Sequence, residues 1–169
     1  MNSEKKIKII LGEGEEAVEA TAILLKEKAP NTCKLIWDNL PLDVYREEKI
    51  PNTKRSRWFG RAFHHTWSGD GIACVEEVIE GMEWENYTIH AGLGVVAWCL
   101  TPDTLPWIKS PNMHEIFIEY GYSRWRTRRG DQRANVFAQI VGDANDFFDA
   151  CHMLIHTGSK RLVVKKKSK

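Results

Sequence analysis

Apolar and polar residues alternate with a period of two in several short runs of this chain, while helical periodicity appears in only two places. Successive side chains of an extended strand point to opposite faces, so such runs are satisfied by sheets with one buried side. Lys6 to Leu11 places Ile7, Ile9 and Leu11 inward; a Gly12-Glu13-Gly14 turn then leads to Val18, Ala20, Ala22 and Leu24, alternating against Glu19 and Thr21. The pair predicts a hairpin. Further strands are expected over Trp58 to Trp67, Gly71 to Val78, Tyr87 to Leu100, His114 to Tyr120 and Val136 to Val141, with Leu162 to Val164 as a last edge strand. In KAPNTCKLIWDNLPL, Cys33, Ile36, Trp37 and Leu40 recur at helical spacing, with Asn31 or Thr32 as the N-cap and Pro41 as the stop. A second helix is expected over Asp143 to His156, capped near Asp143 or Asn145, with Phe147, Cys151, Leu154 and Ile155 inward. Asp43 to Lys54 and the proline-bearing Thr101 to Asn112 read as loops. Many short strands with one early and one late helix predict a mostly β fold, a closed antiparallel barrel with two capping helices.

A length of 169 residues suits one domain. We expect residues 1–160 to form the barrel and 161–169, ending KKKSK, to be a basic tail that is partly disordered. A formal net charge of +1 gives no general attraction to nucleic acid or anionic lipid, so a nucleic-acid partner is disfavoured. No window approaches the roughly eighteen apolar residues of a membrane span, and the charged N-terminus lacks a signal-peptide core, so a cytoplasmic location is the default expectation. Cys33, Cys74, Cys99 and Cys151 are widely spaced and expected to be free, buried thiols. Seven tryptophans favour aromatic-lined pockets or interfaces, and with exposed edge strands they are compatible with a homodimer.

The stretch WFGRAFHHTWSGDG, Trp58 to Gly71, concentrates the candidate chemistry. On a strand, Phe63, His65 and Trp67 share one face, two aromatic anchors around an imidazole that can exchange a proton near neutral pH. The structural alternative is a histidine hydrogen-bonded within a half-buried sheet. The segment from Gly121 to Arg133 holds Arg124, Arg126, Arg128, Arg129 and Arg133 against Asp131 alone. Guanidinium forks recognise carboxylates and phosphates, and Arg124, just past a strand end, is the best candidate; the alternative is a solvated hairpin whose arginines pair with nearby acids. Glu115 and Glu119 share a strand face about 13 Å apart, too far to serve one substrate atom together; either could partner His65 as a general base with an orienting group, and the usual case is that both are exposed. His152 and His156 stand one helical turn apart but lack a third ligand, so no metal or other cofactor is expected. Asn135, near a strand start, could orient a ligand carbonyl or cap a loop.

The order of elements resembles a cyclophilin-type barrel. KAPNTCKLIWDNL resembles the first-helix phrase of cyclophilins, and Phe63-His64-His65 falls where they carry Phe-His-Arg. The chain is more similar to a bacterial family of cyclophilin-like proteins designated only as a domain of unknown function. That family shares the helix phrase, a Trp-Ser-Gly turn as at Trp67 to Gly69, a Tyr-Gly-x-x-Arg phrase as at Tyr120, Gly121 and Arg124, and an Asn-x-Phe-Ala phrase as at Asn135, Phe137 and Ala138. The resemblance spans roughly Ile7 to Gly158 and implies the barrel. It adds Ser68 and Phe137 to the expected ligand-binding residues. Cyclophilins use the arginine after Phe-His to polarise the prolyl carbonyl; His65 stands in its place, and WSGDG replaces their Gln-x-Gly-Asp phrase. A neutral imidazole is a weaker electrostatic clamp than a guanidinium, so prolyl isomerisation is not expected.

The combined expectation is a small carboxylate or amide ligand in a groove on the barrel face. Phe63, Trp67, Ser68, Tyr120, Asn135 and Phe137 would contact it, Arg124 would hold its acid group, and His65 would move a proton in any isomerisation or hydrolysis. The alternative is a peptide-binding module without chemistry.

Overall fold

The N-terminal alternation becomes a hairpin. β1 (Lys6–Leu11) and β2 (Val18–Leu24) pair antiparallel from Lys6↔Ile23 to Leu11↔Val18, so Ile7, Ile9, Leu11, Ala20, Ala22 and Leu24 share one buried face. The computed structural model describes residues 4–50, 52–65, 68–100, 113–127 and 130–168. The elements that follow are α1 (Pro30–Asn39), β3 (Arg46–Lys49), β4 (Ser56–Phe59), β5 (Arg61–His64), β6 (Gly69–Glu76), β7 (Tyr87–Thr88) and β8 (His90–Ala91). After them come β9 (Val95–Cys99), β10 (His114–Arg124), β11 (Arg126–Thr127), β12 (Gly130–Asp131), β13 (Ala134–Val141), α2 (Asn145–Thr157) and β14 (Lys160–Lys166).

Eight strands close a ring in the order β14, β1, β2, β13, β9, β10, β6, β5 and back to β14, every neighbouring pair antiparallel. The expected closed antiparallel barrel with two helices is therefore present. Its inward residues form one core that includes Trp98, Phe137, Ile116 and Ile118, each inaccessible to solvent. Burying each such side chain contributes about 1.5–3 kcal/mol. α2 lies across strands β1, β2, β5, β6 and β10 and inserts Phe147, Cys151 and Leu154 into the core. Ile155, expected inward, is 50% exposed at the margin of that apolar stripe. All four cysteines are free and buried, as expected. No helix among the described residues is long and apolar enough to cross a membrane.

α1 buries Cys33 and Ile36 as its periodicity predicts, but its cap comes from elsewhere. Asn31 and Thr32 lie inside the first turn, and their backbone N–H groups donate to Glu85 Oε1 (3.1 Å) and Oε2 (2.8 Å). A carboxylate there satisfies two orphan donors and complements the helix dipole, which pulls the Glu85 pKa down.

Three further expectations are corrected. Arg46 to Lys49, within the expected loop, pairs with β4; all four side chains are exposed, so no apolar alternation betrays the strand. The single strand from Trp58 is broken at Gly60, whose φ of +66° and close approach to the Val44 carbonyl exclude a side chain; β4 and β5 are therefore separate. β14 is an interior strand between β1 and β5, its Leu162 and Val164 buried, so residues 161–166 belong to the barrel rather than to a tail. The segment expected as a loop at 101–112 lies outside the described residues.

Candidate functional site

Three neighbouring barrel strands present an unusual outer face. β10 turns Glu115, Phe117 and Glu119 outward, flanked by Val75, Ala73 and Gly71 of β6 and by Cys99 and Ala97 of β9. Because the flanking residues are small, Phe117 rises from a low floor and gathers a second apolar cluster with Ala73, Ala91, Ala97, Cys99, Trp125 and Ala134. The Trp125 ring packs on Phe117 at 5.3 Å between centroids, and the His65 ring meets Phe117 edge-on at 4.6 Å. Phe63, paired with Ala73, stands on this side and is 39% exposed.

The polar groups of this face divide into satisfied and unsatisfied. Glu119, expected at the surface, is fully buried; Ser123 Oγ donates to its Oε2 and Trp125 Nε1 donates to its Oε1 at 2.8 Å. Burial pushes its carboxyl up to about 7 against the pull of those two bonds. Glu119 thereby pins Trp125 and the β11–β12 ribbon that follows. Glu115 is half-buried between Val75 and Cys99, with no hydrogen bond or ion pair among the described residues, and burial pushes its carboxyl up to about 7. His65 Nε2 is buried without a hydrogen-bond partner. Burial, with a smaller contribution from His64, lowers the His65 pKa to about 3, so this imidazole is neutral at physiological pH.

The other expected site residues are dispersed. Trp67 lies outside the described residues. Ser68 clamps the ribbon: its Oγ accepts from Arg126 N at 3.1 Å and its carbonyl accepts from Arg124 N at 2.8 Å. Tyr120 points to the opposite side of β10 from Glu119, where its hydroxyl lies 2.7 Å from His64 Nε2 and its ring meets His152 at 5.7 Å. Arg124, expected to hold an acid group, is exposed and bound in a fork to Asp131, at 3.1 Å (Nε) and 2.8 Å (Nη2), which draws the Asp131 carboxyl below its usual range. That is the solvated-hairpin alternative. Asn135 is fully buried; its Nδ2 donates to Thr32 Oγ1 (3.1 Å) and the Glu83 carbonyl (2.7 Å), and its Oδ1 accepts from Glu85 N (3.1 Å). Its amide ties the 83–85 segment to α1 and leaves no N–H for a ligand. Phe137 is part of the barrel core.

The structure thus gathers His65 and Phe63 with two residues that sequence reasoning missed as a site, Phe117 and Glu115. Alternation along His114 to Tyr120 puts Glu115 and Phe117 on one face, but the small residues opposite them come from the register of β6 and β9. A separate buried pair lies on the inner face, where Glu76 and His114 are cross-strand partners. Glu76 Oε2 has no partner and burial pushes its carboxyl up to about 8, while His114 Nδ1 accepts from Trp98 Nε1 at 2.8 Å and is lowered to about 4 by burial. Among the described residues no group of three or more His, Cys, Asp or Glu side chains is placed to hold a metal ion.

No curated protein matches the chain. A family model described as Protein of unknown function (DUF3830) matches residues 13–165, which takes in both helices and nearly all of the barrel described above. The chain belongs to that family.

Proposed function

We propose that this protein binds a small molecule carrying a carbonyl or amide group on the outer face of the barrel, over Phe117 and between Phe63 and His65. The observation that carries the reading is the buried, unpartnered Nε2 of His65 at the edge of an aromatic cluster. A polar atom withdrawn from water without a partner costs about 1–3 kcal/mol, and a ligand group that hydrogen-bonds to it recovers that cost. Exposed Phe63 and the Phe117 ring supply apolar walls, the usual composition of a small-molecule site. With Arg124 held by Asp131, the amide version of the expected ligand is favoured over the carboxylate version. His65 acts as a neutral hydrogen-bonding group, since protonating it would place a charge in an apolar enclosure.

The test is a thermal-shift and calorimetric screen of small amides, carboxylates and proline-containing peptides. A ligand at a hundredfold its Kd stabilises by about 2.7 kcal/mol, enough to raise Tm by a few degrees. Amide hits should disappear in His65→Phe and weaken in Phe63→Ala but persist in Arg124→Ala. Hits indifferent to His65→Phe, or abolished by Arg124→Ala, would overturn the reading. Hits confined to proline peptides would favour the peptide-module alternative.

A further inference from the structure

The outer face also holds a half-buried carboxyl, Glu115, with no protein partner among the described residues. Glu115 lies two residues from Phe117 on the same side of β10, about 6.6 Å along the strand. Among the described residues its carboxyl has neither hydrogen bond nor ion pair, and its cross-strand neighbours, Val75 on β6 and Cys99 on β9, bring no charge. Asp70 of β6 is exposed and adds negative charge near Glu119, while the other groups around this face bring no free cation. Glu119 is bound by Ser123 and Trp125, and His65 is uncharged. Arg57 of β4 lies over the Phe59 ring and donates to Met113 Sδ at 2.9 Å. A half-buried acid beside an aromatic ring and without a cation of its own complements a cation brought from outside, because carboxylate and ring face both attract positive charge.

We infer that the ligand of this face carries an ammonium group, and that Glu115 is the residue that receives it. The inference rests on the outer-face site proposed above and specifies its ligand: an amine at one end, an apolar portion over Phe117, and a carbonyl reaching His65. Because apolar surroundings hold part of the Glu115 population protonated near neutral pH, seating the ammonium displaces that proton. The carboxylic acid and the ammonium give a carboxylate–ammonium pair and one proton released to buffer.

Titration calorimetry of the full chain with benzylamine, and with benzamide as its uncharged counterpart, tests this at pH 7 in phosphate and in Tris. Benzylamine should bind more tightly than benzamide, its charge-assisted hydrogen bond to Glu115 outweighing the neutral one that the benzamide carbonyl makes with His65. Its enthalpy should depend on the buffer, reporting proton release, and that of benzamide should not. In Glu115→Gln the benzylamine preference should be lost, benzamide binding at least as tightly through its carbonyl, and the buffer dependence should vanish, with benzamide affinity kept. If that variant does not fold, the wild-type pH profile decides: benzylamine affinity should rise between about pH 6 and 8 while benzamide affinity stays level. Equal affinities in the wild type, or a benzylamine preference that survives Glu115→Gln, overturn the ammonium assignment and leave the outer-face site standing. Failure of both ligands to bind, or binding of both that ignores His65→Phe and Phe63→Ala, overturns the site itself.

Discussion

Gly71 faces Glu119 across the β6–β10 ladder, and the substitution Gly71→Ala tests whether this buried acid fixes the outer layer. A Cβ at Gly71 would lie 2.6 Å from Glu119 Cδ and within overlap distance of both carboxylate oxygens. A surface glutamate would swing aside at little cost. Glu119 is fully enclosed, however, and its oxygens are held by Ser123 Oγ and Trp125 Nε1. Overpacking costs about 1–3 kcal/mol, and displacing the carboxyl loses part of two hydrogen bonds, so Gly71→Ala should destabilise by about 2–4 kcal/mol. Glu119→Ala alone leaves an indole N–H and a hydroxyl without their acceptor, which should also cost about 2–4 kcal/mol. The double variant should be no less stable than Glu119→Ala, because the new methyl enters space the carboxyl has left. That amounts to a coupling of at least about 2 kcal/mol. Gly92→Ala is the control: nothing lies within 4 Å of its would-be Cβ, and its effect should stay within about 0.5 kcal/mol. Urea unfolding followed by tryptophan fluorescence and far-UV circular dichroism, with m-values compared, gives all four numbers. Additive costs in the double variant, or a Gly71→Ala midpoint no lower than that of Gly92→Ala, would refute the argument.

Three other outcomes are expected. Asn135→Ala removes two donated and one accepted hydrogen bond inside the protein and should cost about 2–4 kcal/mol by urea unfolding; a loss below about 1 kcal/mol would mean that its amide does not hold the 83–85 segment to α1. Glu76 is held at about 8 in the folded chain against an ordinary 4.5, so its stabilising contribution is complete below about pH 4.5 and is lost as pH rises through 8. Relative to Glu76→Gln, the wild type should therefore lose up to about 1.4 kcal/mol per pH unit between pH 5 and 8, and a difference that does not change with pH would contradict this. His114 works in the opposite direction, its contribution present above about 6.5 and lost as pH falls through 4, and it cancels in that comparison. In a coupled prolyl-peptide assay the protein should show no rate above background, because the neutral His65 imidazole offers no cationic clamp for a prolyl carbonyl; measurable turnover that disappears in His65→Ala would reverse that conclusion.

Periodicity made most of the barrel legible, and its failures share a cause. β1, β2 and α2 carry apolar residues at the spacing their geometry demands, so their burial could be read directly. Arg46 to Lys49 carries none, because a fully exposed strand is specified by backbone pairing with β4. Register and long-range partners are equally silent in sequence. A polar side chain at the start of a strand looks the same whether it meets a ligand or, as Asn135 does, binds Thr32, Glu83 and Glu85 from distant parts of the chain. Glu119 reads as a surface acid because nothing local announces Trp125 folding back over it. Phe63 and His65 emerged correctly as sharing a side because alternation is a local property.

The packing also decides where a ligand can sit. Trp98, Phe137, Phe147, Ile7, Ile9, Ile116 and Ile118 fill the interior, and α2 lies across the strands, so the enclosed volume is a core. A ligand of the kind proposed would then have to sit on the outside of the wall. There Gly71, Ala73 and Ala97 lower the surface around Phe117. A buried imidazole nitrogen with no partner among the described residues, at the edge of an apolar floor, is poor construction for stability alone, since it costs free energy that an apolar residue would not. A complementary molecule of the kind proposed would recover that cost at His65 and could place a cation at the half-buried Glu115.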